Sequence, residues 1–262
     1  IAKATVKVSF TATSDTKNDA ANAVDKAIIS TDADGATIDM SSAVGVYTLT
    51  GGDGVDKLTG SAGADTINAG KGDDEITIAA AGKGDTDVMD GGDGTGDVLK
   101  LSTGKHTFAD DTKFKNIEKI ETDASGSEVV LTAQKEALEI TGGDGVDKIT
   151  GGEGVDTINA GKGDDEITGG KGDDIITGGE GDDIITGGSG ADTINVDKGT
   201  DTISDLGGTS GGESDILVVS KDAIAKATVK VSFTATSDTK NDAANAVDKA
   251  IISTDADGAT ID

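Results

Sequence analysis

The stretch TGGKGDDIITGGEGDD, Thr168–Asp183, holds one nine-residue phrase almost twice: a glycine pair, a variable residue, a third glycine, an acidic pair, then aliphatic residues and threonine. The last three residues of each phrase, such as IIT, are of types that favour extended backbone, and the six before them, such as GGEGDD, are of types that favour turns. Glycine supplies the positive φ and close backbone approach that so tight a turn requires. The phrase runs unbroken as GGDGVDKIT, GGEGVDTIN, AGKGDDEIT, GGKGDDIIT, GGEGDDIIT, GGSGADTIN and VDKGTDTIS from Gly142 to Ser204. Three clear copies begin at Gly51, Gly60 and Ala69, and degenerate ones follow in GKGDTDVMDGGDGTGDVLKLS from Gly82.

Two positions of the phrase carry its physics. Position eight is always aliphatic: Leu58, Ile67 and Ile76, then Ile149, Ile158, Ile167, Ile176, Ile185, Ile194 and Ile203. These residues must supply a thin core, because the chain has no Trp and only 2% aromatic residues against 40 Gly in 262 residues. Such a composition fits a repetitive architecture better than a globule. Position six is always Asp: Asp56, Asp65 and Asp74, then Asp147, Asp156, Asp165, Asp174, Asp183, Asp192 and Asp201.

The formal charge of -28 excludes nucleic acid and anionic membrane as natural partners and favours a cation. Without a counter-ion, a chain this acidic and aromatic-poor would be disordered. With no Cys and a single His, it offers neither disulfides nor the usual zinc ligands. No signal peptide and no apolar run long enough to span a bilayer is visible, and a start at Ile1 reads as an excerpt of a longer protein.

Larger repeats set the organisation. Residues 1–39 recur unchanged as residues 224–262, an offset of 223, which reads as slightly more than one period of a tandem array. Within the period, the 27 residues from Gly51 match those from Gly142 at 23 positions. The expected division is a β-rich spacer over 1–50, a repeat block with a degenerate end over 51–99, a second β-rich spacer over 100–141, an uninterrupted block over 142–204, a linker and strand over 205–223, and the start of the next unit over 224–262.

The phrases resemble the RTX nonapeptide, G-G-x-G-x-D-x-U-x with U aliphatic. The resemblance implies an all-β fold in which parallel β-roll blocks alternate with β-rich spacers, two nonapeptides completing one coil and coils stacking at about 4.8 Å. Stacked turns would crowd carboxylates and leave carbonyls without partners, both costly. Ca²⁺ relieves both, since it takes six to eight oxygen ligands in flexible geometry. In the RTX family each ion sits between turns of successive coils, so the resemblance implies the pairs Asp147 with Asp165, Asp156 with Asp174, Asp165 with Asp183, Asp174 with Asp192, and Asp183 with Asp201. In the first block it implies Asp56 with Asp74, and Asp65 with Asp87. Candidate turn glycines are Gly143, Gly145, Gly152, Gly154, Gly161, Gly163, Gly170, Gly172, Gly179 and Gly181. About five ions are expected in the second block, whose net charge is -11, and one or more in the first.

Other motifs carry less. GTSGG at Gly208–Gly212 has the spacing of a nucleophile elbow but lies in a Gly-Ser linker. DADG at Asp32–Gly35 begins like an EF-hand loop, lacks its closing Glu, and reads as a hairpin turn. Position-nine residues such as Thr150, Asn159 and Thr168 form outward rows that a regular ligand could match, although strands favour Thr there in any case. Lys17–Ile28 has helical spacing, and Phe114, Ile117 and Ile120 are ambiguous. The expected function is non-enzymatic: a secreted, extracellular, tandem calcium-braced array that self-associates into a bacterial surface layer, filament or sheath. The stalk of a giant adhesin is the alternative, and the calcium-binding tail of a secreted enzyme a more distant one.

Overall fold

A turn every nine residues leaves strands too short and too sharply separated to pair with their sequence neighbours, so each pairs with the strand one full coil away. The structure is a computed structural model. It describes the backbone of residues 3–6, 9–11, 27–31, 35–43, 45–78, 86–206, 215–220, 223–229, 232–233, 240–241, 249–254 and 260–261, with side chains over 35–43, 45–78, 86–206, 215–220 and 223–228. All named elements are β-strands, and the chain divides into two compact units, residues 1–123 and 124–262.

In the second unit one sheet stacks Ser127–Val130, Lys148–Thr150, Glu166–Lys171, Ile184–Ser189, Gly199–Leu206, Ala223–Val229 and Lys249–Thr254. The other stacks Glu139–Thr141, Thr157–Lys162, Ile175–Glu180, Thr193–Val196, Ile216–Val219 and Lys240–Asn241. Successive strands alternate between the sheets and every pair is parallel. The register steps by 18 residues through the nonapeptides: Ile149 on Ile167, Ile167 on Ile185, Ile158 on Ile176, and Ile176 on Ile194. Two nonapeptides therefore make one coil of a parallel β-roll, and the position-eight residues fill it, Ile149 through Ile203 being at most 1% exposed. Burying each such side chain contributes roughly 1.5–3 kcal/mol.

The first unit repeats the plan. One sheet stacks Lys3–Val6, Ala27–Thr31, Tyr47–Thr50, Thr66–Lys71, Val88–Asp93 and Phe114–Lys115, and the other Ser9–Thr11, Thr37–Asp39, Lys57–Thr59, Glu75–Ile78, Val98–Leu101 and Lys119–Thr122. Here the coils are longer and less regular. Ile38 stacks on Leu58 and Leu99 on Ile120, so segments outside the nonapeptides continue the same parallel ladder with extra residues at the corners.

Two expectations change. The strands on either side of Asp32–Gly35, Ala27–Thr31 and Thr37–Asp39, lie in different sheets and do not form a hairpin, and residues 32–34 themselves lie outside the described residues. Phe114, Ile117 and Ile120 are all buried, on two strands and the corner between them, with no helix. Of the helical spacing over Lys17–Ile28, Ala27 and Ile28 open a strand, and residues 17–26 lie outside the described residues, as does Ser210 of the GTSGG motif.

Glycine is what lets the coils approach. Gly181 has φ 145°, and a Cβ there would stand 1.8 Å from the carbonyl oxygen of Gly163 one coil below. Outside, position-three residues pair across coils, as in Lys162 with Asp144 at 2.9 Å, Lys198 with Glu180, and Lys71 with Asp53 at 3.0 Å. These exposed pairs each contribute little.

Candidate metal sites in the turns

The position-six aspartates face inward at the turns. Asp56, Asp65, Asp74, Asp87, Asp147, Asp156, Asp165, Asp174, Asp183, Asp192 and Asp201 are each at most 2% exposed. A buried carboxylate must find donors, and the roll supplies one from the neighbouring coil. The backbone N–H of Asp147 donates to Asp165 Oδ1 at 2.7 Å, that of Asp165 to Asp183 at 2.9 Å, and that of Asp183 to Asp201 at 2.9 Å. The opposite turns do the same: Asp156 N–H donates to Asp174 Oδ1 and Asp174 N–H to Asp192 Oδ1, both at 2.8 Å. In the first unit the N–H groups of Asp56 and Asp65 donate to Asp74 and Asp87. The structure thus links each pair of aspartates that the repeat spacing brings one coil apart.

The second oxygen separates two kinds of turn. In closed turns Oδ2 accepts from the residue four positions earlier: Gly52 N–H to Asp56 at 2.7 Å, Ser61 to Asp65 at 2.6 Å, Gly143 to Asp147 at 3.0 Å and Gly152 to Asp156 at 2.9 Å. In open turns Oδ2 is buried with no hydrogen-bond partner: Asp74 and Asp97 in the first unit, and Asp165, Asp174, Asp183, Asp192 and Asp201 in the second. Strand length accounts for the difference. The strands before closed turns, Tyr47–Thr50, Lys57–Thr59, Glu139–Thr141 and Lys148–Thr150, stop before the first two residues of the next phrase (a glycine pair, or Gly60-Ser61) and leave the second N–H free to reach the carboxylate. Those before most open turns, such as Thr157–Lys162 and Glu166–Lys171, run on through the pair, and Gly161 and Gly170 turn to φ 107° and 127° and pair with the next coil.

Leaving these oxygens without donors is costly, and the carboxyls respond. Burial, followed by the charges of neighbouring aspartates, pushes Asp174 and Asp201 up to about 7 and Asp97, Asp165 and Asp192 up to about 6. Burial also raises Asp183 and Asp74 above the usual carboxylate range. Asp156 and Asp65 are raised by burial as well, although backbone N–H bonds oppose the shift.

The donor set fits a hard cation. The open carboxylates of Asp174, Asp183 and Asp192 lie over the first glycine of their phrases: a Cβ on Gly178 or Gly187 would meet Oδ2 of Asp183 or Asp192 at 2.3 Å, and one on Gly169 would meet Oδ2 of Asp174 at 2.5 Å. The candidate turn glycines stack in columns beside it. A Cβ on Gly161, Gly163, Gly170, Gly172 or Gly179 would come within 2.4 Å of the carbonyl oxygen of Gly143, Gly145, Gly152, Gly154 or Gly161 respectively. Among the described residues no three Asp, Glu, His or Cys side chains converge on one point, so the remaining ligands of any ion must be carbonyls or water. Mixed coordination of that kind suits Ca²⁺ and not Zn²⁺.

Three aspartates outside the strict register join the columns. Asp97 accepts from Asp74 N–H at 2.7 Å and Asp215 from Asp192 N–H at 3.0 Å, while Asp205 accepts from the N–H groups of Gly187 and Gly188. An inserted Gly96 displaces Asp97 by one place. The D-x-aliphatic triplets Asp97-Val98-Leu99 and Asp215-Ile216-Leu217 are the signal that would have found two of the three.

Parallel coils, stacked glycine turns and columns of buried carboxylates define a parallel β-roll. Residues 48–77, 141–176 and 168–203 match the RTX calcium-binding nonapeptide repeat (4 copies), so the chain carries RTX repeats over these segments. No curated protein and no solved structure matches it.

Proposed function

We propose that the open turns hold Ca²⁺ and that the chain is a segment of a secreted, extracellular structural array. The buried Oδ2 atoms of Asp165, Asp174, Asp183, Asp192 and Asp201 carry the reading: five anionic oxygens without donors, one per open turn, in a block with a net charge of -11. Five dications there, and two at Asp74 and Asp97, would neutralise them and draw in glycine carbonyls of the adjoining coil. The closed turns of Asp56, Asp65, Asp147 and Asp156 already satisfy Oδ2 and serve as ends of the columns. Asp87 accepts at Oδ1 and extends the first unit's column.

With calcium scarce in the cytosol and abundant outside, the chain would stay exportable within and fold on emerging, consistent with the one-step route used by RTX proteins. The verbatim recurrence of 39 residues supports a tandem array that self-associates into a surface layer, filament or sheath, without catalysis. The charged outer ladders of Lys and acidic residues favour a second reading, a solvated adhesin stalk. Electron microscopy of a multi-period chain in calcium separates them. Ordered sheets or fibres support the first, and isolated rods that never associate laterally would overturn it.

A further inference from the structure

The two sheets of the second unit turn different outer faces to solvent. On the sheet of Thr157–Lys162, Ile175–Glu180 and Thr193–Val196, positions seven and nine of the phrase face outward as Thr157 and Asn159, Ile175 and Thr177, and Thr193 and Asn195. The next strand adds Ile216 and Val218, so four successive strands present no charge across this face. Ile175, near its middle, is 46% exposed. The other sheet carries Lys148 paired with Glu166 at 2.7 Å, and an exposed Lys226. In a chain of formal charge -28, an uncharged face lets two copies close without bringing like charges together.

One edge of this face is charged, and the order of its charges is informative. The strands end in Lys162 and Glu180, which stand side by side in register. Asp144 lies one coil before Lys162 and pairs with it at 2.9 Å, and Lys198 lies one coil after Glu180 and pairs with it. Along the coil axis the edge therefore reads acidic, basic, acidic, basic, a row that is complementary to its own reverse. The opposite edge holds the exposed residues Val155, Asp173 and Ala191, with a single charge.

We infer that this face pairs with the same face of a second copy about a two-fold axis. The axis runs along the strands, between Thr157–Lys162 and Ile175–Glu180, so the coils of the two copies run in opposite directions. Lys162 then faces Glu180 of the second copy and Asp144 faces Lys198, and two-fold symmetry makes each pair twice. Ile175 packs on Thr157, Thr177 meets Asn159, and Asp173 meets Val155 and not itself. A parallel arrangement fits worse, because it sets the alternating edge against the edge of Val155, Asp173 and Ala191. Four strands spaced about 4.8 Å apart give a patch of about 400 Å², roughly half of the ~800 Å² per partner of a standard interface. One pair of patches thus makes a weak, reversible dimer, and repetition along an array makes a lasting one. The inference rests on the tandem array proposed above and names the surface through which neighbouring arrays join side by side.

The test is sedimentation equilibrium of the full chain in saturating calcium over a wide range of concentration, where a reversible equilibrium of monomer and dimer is expected. Ile175→Glu sets a charge in the centre of the interface and should raise the dissociation constant at least about tenfold. Ile184→Glu is its matched control: Ile184 holds the same position of the next phrase, is 51% exposed and lies on the other sheet, and its replacement should leave the constant unchanged. Lys162→Glu sets like charges opposite each other twice and should weaken the dimer several-fold, whereas Lys148→Glu, the same change of charge on the other sheet, should not. Circular dichroism in calcium checks that each variant is folded. Equal weakening by Ile175→Glu and Ile184→Glu, a dimer that Ile175→Glu leaves intact, or monomer alone at every concentration would overturn the proposal. Electron microscopy of a multi-period Ile175→Glu chain keeps the two readings apart, because ordered assemblies that persist would remove this face and leave the array reading standing.

Discussion

Replacing Asp174 by Asn keeps the size of the side chain and removes its charge, so it should act in opposite directions with and without calcium. Asp174 is pushed up to about 7 from an ordinary 3.8, first by burial and then by Asp156, Asp192 and Asp173. At about 1.36 kcal/mol per pKa unit, holding it ionised at pH 7.5 would cost roughly 4 kcal/mol in a dry site, and about 2 once water at the turn is allowed for. In chelator, Asp174→Asn should therefore show at least as much residual β-structure by circular dichroism as the wild type. In calcium it loses an anionic ligand in the centre of its column, and the folding midpoint should move up by about tenfold, equivalent to about 1.4 kcal/mol. Asp147→Asn provides the contrast, because Asp147 Oδ2 already accepts from Gly143 N–H; its midpoint should move by less than about threefold. Calcium titrations followed by circular dichroism give both values. Equal shifts for the two variants, or an Asp174→Asn chain that needs no more calcium than the wild type, would refute the distinction between open and closed turns.

Acid should partly replace calcium. The open-turn carboxyls have folded values raised above their unfolded ones, so the calcium-free roll binds more protons than the unfolded chain, and its stability rises as pH falls from about 7 toward 4. Circular dichroism in chelator should show β-structure increasing over that range, and apparent calcium affinity should decline over it as protons compete. Gly181→Ala places a methyl group 1.8 Å from the Gly163 carbonyl at φ 145°, and should cost at least about 2 kcal/mol in a calcium-saturated melt. Ile176→Ala, in the core, should cost about 2–5 kcal/mol, whereas Ile175→Ala, 46% exposed on the same strand, should cost about 0.5 kcal/mol or less.

The nonapeptide made the roll legible because strand, turn and core recur at fixed positions. The 18-residue register, the inward column from Ile149 to Ile203 and the inward-facing aspartates all follow from that spacing. Longer coils were harder to read, since residues added at the corners break the period while the D-x-aliphatic triplet survives, as at Asp97 and Asp215. The division into open and closed turns was not legible. Asp147 and Asp165 occupy the same position of the same phrase, and only the reach of the preceding strand decides whether a glycine N–H meets the carboxylate. The burial of Phe108 against Phe114, ring centroids 5.3 Å apart, likewise depends on how an irregular corner folds.

Carboxylates left without donors should make the whole fold depend on calcium. Equilibrium dialysis can count the bound ions while circular dichroism follows the wild-type chain from chelator to saturation at neutral pH. The expected result is a chain with little β-structure in chelator that folds cooperatively as about five ions enter the second unit and about two the first. A β-rich spectrum that persists unchanged in chelator at neutral pH would contradict it.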